Sequence, residues 1–60
     1  MTMEYDRSDQ VRSIVEDHAE TTVGEVADIM LMSEGEIRDY VEDLKNRGEV
    51  AERDGKLRPT

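Results

Sequence analysis

The chain has no cysteine, no phenylalanine and no tryptophan, and a single proline among 60 residues. Without cysteine, disulfide staples and thiolate zinc sites are excluded, so stability must come from packing and helix caps. Large side chains are scarce, so few are available to fill a core. Bases are scarce as well: eight Lys or Arg face sixteen Asp or Glu, a formal charge of -8. No apolar run approaches the roughly 20 residues of a membrane span, and Met1 to Ser8 hold no apolar stretch of signal-peptide length. These absences point to one cytoplasmic domain spanning residues 1–60. A chain of this length buries only about 60% of its unfolded surface.

A composition of 40% charged and 35% apolar residues lies near the limit where chains fail to fold. Periodicity argues for order. Val11, Ile14, Val15, His18 and Ala19 follow the i, i+3, i+4, i+7, i+8 pattern of a one-faced helix. Val23, Val26, Ala27, Met30 and Leu31 repeat it, and Ile37, Tyr40, Val41 and Leu44 match its first four positions. Thr22-Val23-Gly24-Glu25 and Ser33-Glu34-Gly35-Glu36 fit the capping box, in which the hydroxyl accepts from an orphan backbone N–H. Ser8 is the expected cap of the first helix, with Asp9 at the favourable end of its dipole.

The expected helices therefore cover 8–19, 23–31 and 34–47, behind an arm over 1–7 that contains Met3 and Tyr5. Lys45 and Arg47 sit at the negative end of the third helix, and Gly48 supplies the left-handed stop. Beyond it, Asp54-Gly55 is a two-residue signal for a type I′ turn. A hairpin over 49–58 is expected, ended by Pro59 and leaning on the helices through Val50 and Leu57. Thr21 to Val23 is a candidate third edge strand. The fold class is α+β, mainly α.

From Thr22 to Gly55 the chain resembles the winged helix-turn-helix transcription regulators. The stretches that carry the resemblance are Thr22 to Met30, Met32-Ser33, Ile37 to Leu44 and Arg47 to Val50. The resemblance implies a double-stranded DNA-binding regulator, or an accessory to one, with the helix after Ser33 as recognition helix and the hairpin around Asp54-Gly55 as wing. It also implies that Glu34, Gly35, Arg38, Asp39 and Glu42 face a major groove. Because winged helices also mediate protein contacts, an interaction module or homodimer is the alternative. Many relatives carry a polar residue at the position of Ile29 and glycine at that of Leu31, which makes Ile29, Leu31, Met32 and Tyr40 candidate contacts. Core filling is the competing role for Met30, Leu31, Met32 and Tyr40, whereas Ile29 falls off the stripe of its helix.

The acid excess, with Arg outnumbering Lys six to two, is similar to proteins of salt-accumulating haloarchaea. A dense carboxylate surface stays hydrated when molar salt screens its self-repulsion. Charge is also unevenly distributed. Residues 1–44 carry thirteen acids and three bases, a net of -10, while residues 45–60 carry five bases and three acids, a net of +2. Phosphate contacts are therefore expected from Lys45, Arg47, Arg53, Lys56 and Arg58. On the recognition helix, Arg38 suits phosphate or guanine, Glu42 could accept from cytosine, and Ser33 begins the helix. The Debye length falls from about 8 Å at 0.15 M salt to about 3 Å at 1 M, so DNA binding is expected at high salt.

His18 is the single histidine and lies on an apolar stripe, where a half-buried structural role is expected. No nucleophile–base pair accompanies it, no calcium loop is present, and no enzyme activity, cofactor or metal is expected. The -8 charge predicts that the midpoint of thermal unfolding, followed by circular dichroism, rises with KCl well beyond physiological concentrations. A midpoint indifferent to KCl would remove the high-salt assignment.

Overall fold

The computed structural model describes residues 7–60. The stripes become helices α1 (Arg7–His18), α2 (Val23–Met30) and α3 (Glu34–Asn46), followed by strands β1 (Val50–Arg53) and β2 (Lys56–Pro59). This is the expected mainly helical α+β arrangement with a winged-helix-like layout. The arm expected over 1–7, with Met3 and Tyr5, lies outside the described residues except for Arg7, which already belongs to α1.

The core is assembled from the predicted stripes. Val11 and Val15 of α1, Val26 and Ala27 of α2, and Ile37, Val41 and Leu44 of α3 are buried together with Val50 and Leu57 of the hairpin. Ile14, Val23, Met30, Met32 and Tyr40 are half-buried around them. Thus α3 packs on α1 and α2, β1 leans on α3, and β2 leans on α1. Tyr40 and Met32 serve the core as well as the surface, because each sits at the rim of a cluster too small to enclose it.

Caps set the helix ends. The Thr22 hydroxyl accepts from the Glu25 N–H at 3.1 Å, and the Ser33 hydroxyl accepts from the Glu36 N–H at 3.3 Å. At the end of α3, Gly48 N–H donates to Lys45 C=O and Glu49 N–H donates to Leu44 C=O, with Gly48 at φ 75°. That pair of bonds is a Schellman motif with glycine at its left-handed position. The end of α2 repeats it: Leu31 N–H donates to Asp28 C=O and Met32 N–H donates to Ala27 C=O. Here a leucine occupies the left-handed position, at φ 56°.

Several expectations are corrected by these ends. Leu31 closes α2 from outside it and is 91% exposed, so it fills no core. Chain reversal at Leu31 turns its side chain off the stripe that includes Met30. His18 is likewise exposed, because α1 stops there and Ala19 reverses the chain at φ 61°. Its Nδ1 lies 2.9 Å from the Ile14 carbonyl oxygen, to which it donates. Ser8, the expected cap of the first helix, lies within the described span of α1 and is buried. α3 ends at Asn46, with Arg47 as its cap, one residue earlier than expected.

The hairpin pairs β1 with β2 antiparallel, with Arg53 opposite Lys56, Glu52 opposite Leu57, Ala51 opposite Arg58 and Val50 opposite Pro59. Asp54 and Gly55 both have positive φ, at 53° and 77°, as a type I′ turn requires. Pro59 does not lie beyond the ribbon. It is the last residue of β2, where a missing N–H costs little. The candidate third strand is reduced to one residue. Thr21 bridges Leu57 through two backbone hydrogen bonds of 2.6 and 3.0 Å, while Val23 already belongs to α2. Among the described residues, the buried Thr21 hydroxyl has no hydrogen-bond partner.

A non-glycine residue in left-handed conformation costs roughly 1–2 kcal/mol. Leu31→Gly should therefore raise the thermal midpoint by about 4–8 °C, the shift that about 1 kcal/mol produces in a domain of this size. Gly48→Ala should lower it by a similar amount. Calorimetry on the two variants checks both signs.

Candidate nucleic-acid interface

Side chains alternate across a strand, so the register of the hairpin decides which of them share a face. Leu57 is fully buried, and Val50 is buried on the same side. By alternation, Arg53, Lys56 and Arg58 stand together on the opposite, outward face around the small Ala51. Arg53 and Lys56 are direct cross-strand partners. Like charges in that relation are destabilising, and the hairpin holds them there nonetheless. With Glu20 and Asp54 they line a surface groove of ≈ 280 Å³.

Glu20 was not among the sequence candidates. Its carboxylate lies 3.3 Å from Lys56 Nζ and 4.0 Å from Arg58 Nε. It arrives there because the neighbouring Thr21 pairs with Leu57. The signal that could have found it was the possible strand at Thr21, which would set Glu20 beside the wing. Glu20 supplies one further negative charge, so the net +2 of residues 45–60 falls locally to +1.

The remaining bases of that segment are also engaged. Lys45 Nζ donates to Glu52 at 3.1 Å and lies 3.8 Å from Glu42, which ties α3 to β1. Arg47 meets Asp43 at 2.5 Å and Glu49 at 3.5 Å. Glu49 is shared with Arg12, which also pairs with Glu16 at 3.1 Å, so one carboxylate links α1 to the loop after α3. Arg12, Glu49 and Glu52 join the network across long sequence separations, and no spacing rule reveals such contacts. Among the described residues of the segment, Arg53 at the wing tip is the base that enters no ion pair. All of these pairs are at least partly exposed, and such pairs typically contribute about 0–1 kcal/mol each.

The outer side of α3 is less favourable to phosphate. Glu34, Gly35, Arg38, Asp39 and Glu42 are all exposed. Arg38 is their single base, and its guanidinium lies 4.0 Å from Glu34, one turn back. The Ser33 hydroxyl is committed to capping. The structure therefore brings Arg53, Lys56 and Arg58 together. Lys45 and Arg47 remain beside α3 in their own pairs, and Arg38 stays with Glu34. Of the candidate apolar contacts, Ile29 is 50% exposed and Leu31 91%, while Tyr40 is half-buried against the core.

Two bases are shifted by their partners. The Lys45 ammonium is held above the ordinary lysine range, first by its hydrogen bond to Glu52 and then by the charge of Glu42, against a smaller opposing effect of desolvation. Arg12 is raised in the same direction, chiefly by its hydrogen bond to Glu49. No helix among the described residues is long and apolar enough to cross a membrane.

The chain matches no protein-family model, no curated protein and no solved structure.

A base whose pKa rises on folding stabilises the fold fully below its unfolded pKa and loses that contribution as pH climbs through the folded value. The Lys45 contribution is therefore present at neutral pH and disappears only under alkaline conditions. In Glu52→Gln, the Lys45 side-chain titration followed by NMR should move down toward the ordinary lysine value. An unmoved midpoint would contradict the hydrogen bond as its cause.

Proposed function

We propose that this protein is a cytoplasmic winged-helix DNA-binding protein, a transcription regulator or an accessory to one, working in concentrated salt. The observation that carries this reading is the shared outward face of Arg53, Lys56 and Arg58, with two of the bases placed opposite each other at a cost to hairpin stability. Nothing in the packing of the hairpin calls for that arrangement, whereas a phosphate backbone does. On this reading the wing supplies sequence-independent affinity through phosphates. Arg38 is the group on α3 suited to guanine or phosphate, once duplex competes with Glu34 for it.

Salt enters with two opposing effects. Screening weakens every contact between wing and phosphate, as counterion release requires. It also confines the repulsion from Glu34, Asp39 and Glu42 to about 3 Å at 1 M, short of a phosphate that touches the wing alone. The acidic helix face thus stops opposing the basic one. The exposed Ile29 and Leu31 favour a second role, as a protein-interaction module.

Fluorescence anisotropy with a labelled duplex, across a KCl series from about 0.5 to 2 M, tests this function. Arg53→Ala should weaken binding on all sequences alike and reduce the salt slope by about one. Glu20→Gln, which frees Lys56 and Arg58, should tighten it about twofold to fivefold, the effect of one unit charge at short range in screened water. Arg38→Ala should affect some sequences more than others. Absence of binding to any duplex across the series would remove the DNA function.

A further inference from the structure

The turn between α2 and α3 presents a surface that the DNA-binding proposal leaves unused. Ile29 and Leu31 are the large hydrophobic side chains that the described residues expose, and they lie two positions apart. Leu31 holds its place against backbone preference. It occupies the left-handed position of a Schellman motif, where the end of α3 uses Gly48. Folding gains nothing from that side chain, since it touches no core and strains the turn.

Charge around the pair is one-sided. Glu25 shares a helix face with Ile29, one turn away, and Asp28 is its neighbour in α2. Glu34 and Glu36 follow Leu31 in the first turn of α3, and Glu34 reaches back to within 4.0 Å of where a Cβ on Gly24 would stand. Glu25, Asp28 and Glu36 are exposed, and among the described residues they enter no ion pair. The carboxylates that find cations include Glu16, Glu20, Asp43, Glu49 and Glu52, and Glu25 lines a surface pocket with Glu20 and Lys56 without entering an ion pair among the described residues. Arg7 approaches the turn, where its Nη1 donates to Met32 Sδ at 3.3 Å.

We propose that the α2–α3 turn docks a lysine- or arginine-rich segment of another protein. An apolar anchor in that segment covers Ile29 and Leu31, and its cations meet Glu25, Asp28 and Glu36. Charge complementarity selects this occupant. A second copy of the chain, related by a twofold axis, would set the same carboxylates against one another, and like charges in apposition cost affinity. The partner supplies cations to Glu25, Asp28 and Glu36, which pair with none of the chain's own bases among the described residues. Leu31 is then kept for its exposed surface, at the expense of turn stability.

Two synthetic peptides of equal charge provide the test, one of lysine and leucine and one of lysine and serine, titrated into the 15N-labelled full chain. The lysine–leucine peptide should shift the amides of Ile29, Leu31 and Met32, and the lysine–serine peptide should bind at least about tenfold more weakly. Leu31→Gly should fold more stably than the parent yet lose about tenfold or more in peptide affinity, as expected when a buried leucine side chain is deleted from an interface. Equal binding of the two peptides, shifts centred on the wing, no binding, or unchanged affinity in Leu31→Gly would each overturn the proposal. So would sedimentation showing self-association that Leu31→Gly abolishes, since the surface would then belong to a second copy. Duplex binding uses other residues, so loss of one activity leaves the other measurable.

Discussion

Leu57 ties the hairpin to the helices in two ways at once. Its side chain is fully buried among valines of the core, and its backbone N–H and C=O both bond to Thr21. A two-stranded ribbon alone is marginal in water, so this double attachment gives the wing a fixed position. It also sets the register. With Leu57 inward, Lys56 and Arg58 must point outward, and pairing across the turn brings Arg53 to the same face. The bridge to Thr21 carries Glu20 against that face as well. The basic groove and the counter-charge of Glu20 are therefore both consequences of how a single leucine is buried.

Electrostatics distinguish two parts of the surface. At the wing end, bases and acids interleave and most charges have partners. Around Ile29 and Leu31, Glu25, Asp28 and Glu36 enter no ion pair among the described residues, while Glu34 pairs with Arg38. The -8 total hides this division. The bases cluster late in the chain, and the fold brings to them acids from the α1–α2 loop, α3, the α3–β1 loop and β1. On the functions proposed above, the basic groove meets polyanionic phosphate and the α2–α3 turn meets a cationic segment.

Much of the fold was legible because its signals are local. Stripe periodicity, the Thr22 and Ser33 caps, Gly48 and Asp54-Gly55 each act within a few residues, and each appears where local chemistry put it. Boundaries moved where local signals were ambiguous. Leu31 continued the apolar spacing of α2, which left core filling open beside a surface contact, but a Schellman stop intervened with no glycine to announce it. His18 failed for the same reason, since its stripe position was correct and the helix simply ended there. The candidate site was legible in part. Clustering of bases after residue 44 was visible, whereas the pairing of Lys56 and Arg58 with Glu20 was not.

The sequence by itself determined three amphipathic helices, a hairpin with a type I′ turn and an asymmetric charge, because backbone dihedral preferences, capping and side-chain period are properties of short segments. Tertiary structure decided which charges remain unpaired. Salt bridges such as Arg12 with Glu49 join residues remote in the chain, and only packing of α1 against the α3–β1 loop brings them within reach. It also decided that Leu31 is exposed, because exposure depends on where the neighbouring elements lie. The described residues thus declared their secondary structure early, while the absence of an ion pair at Arg53 within residues 45–60 and the exposure of Leu31 awaited the fold.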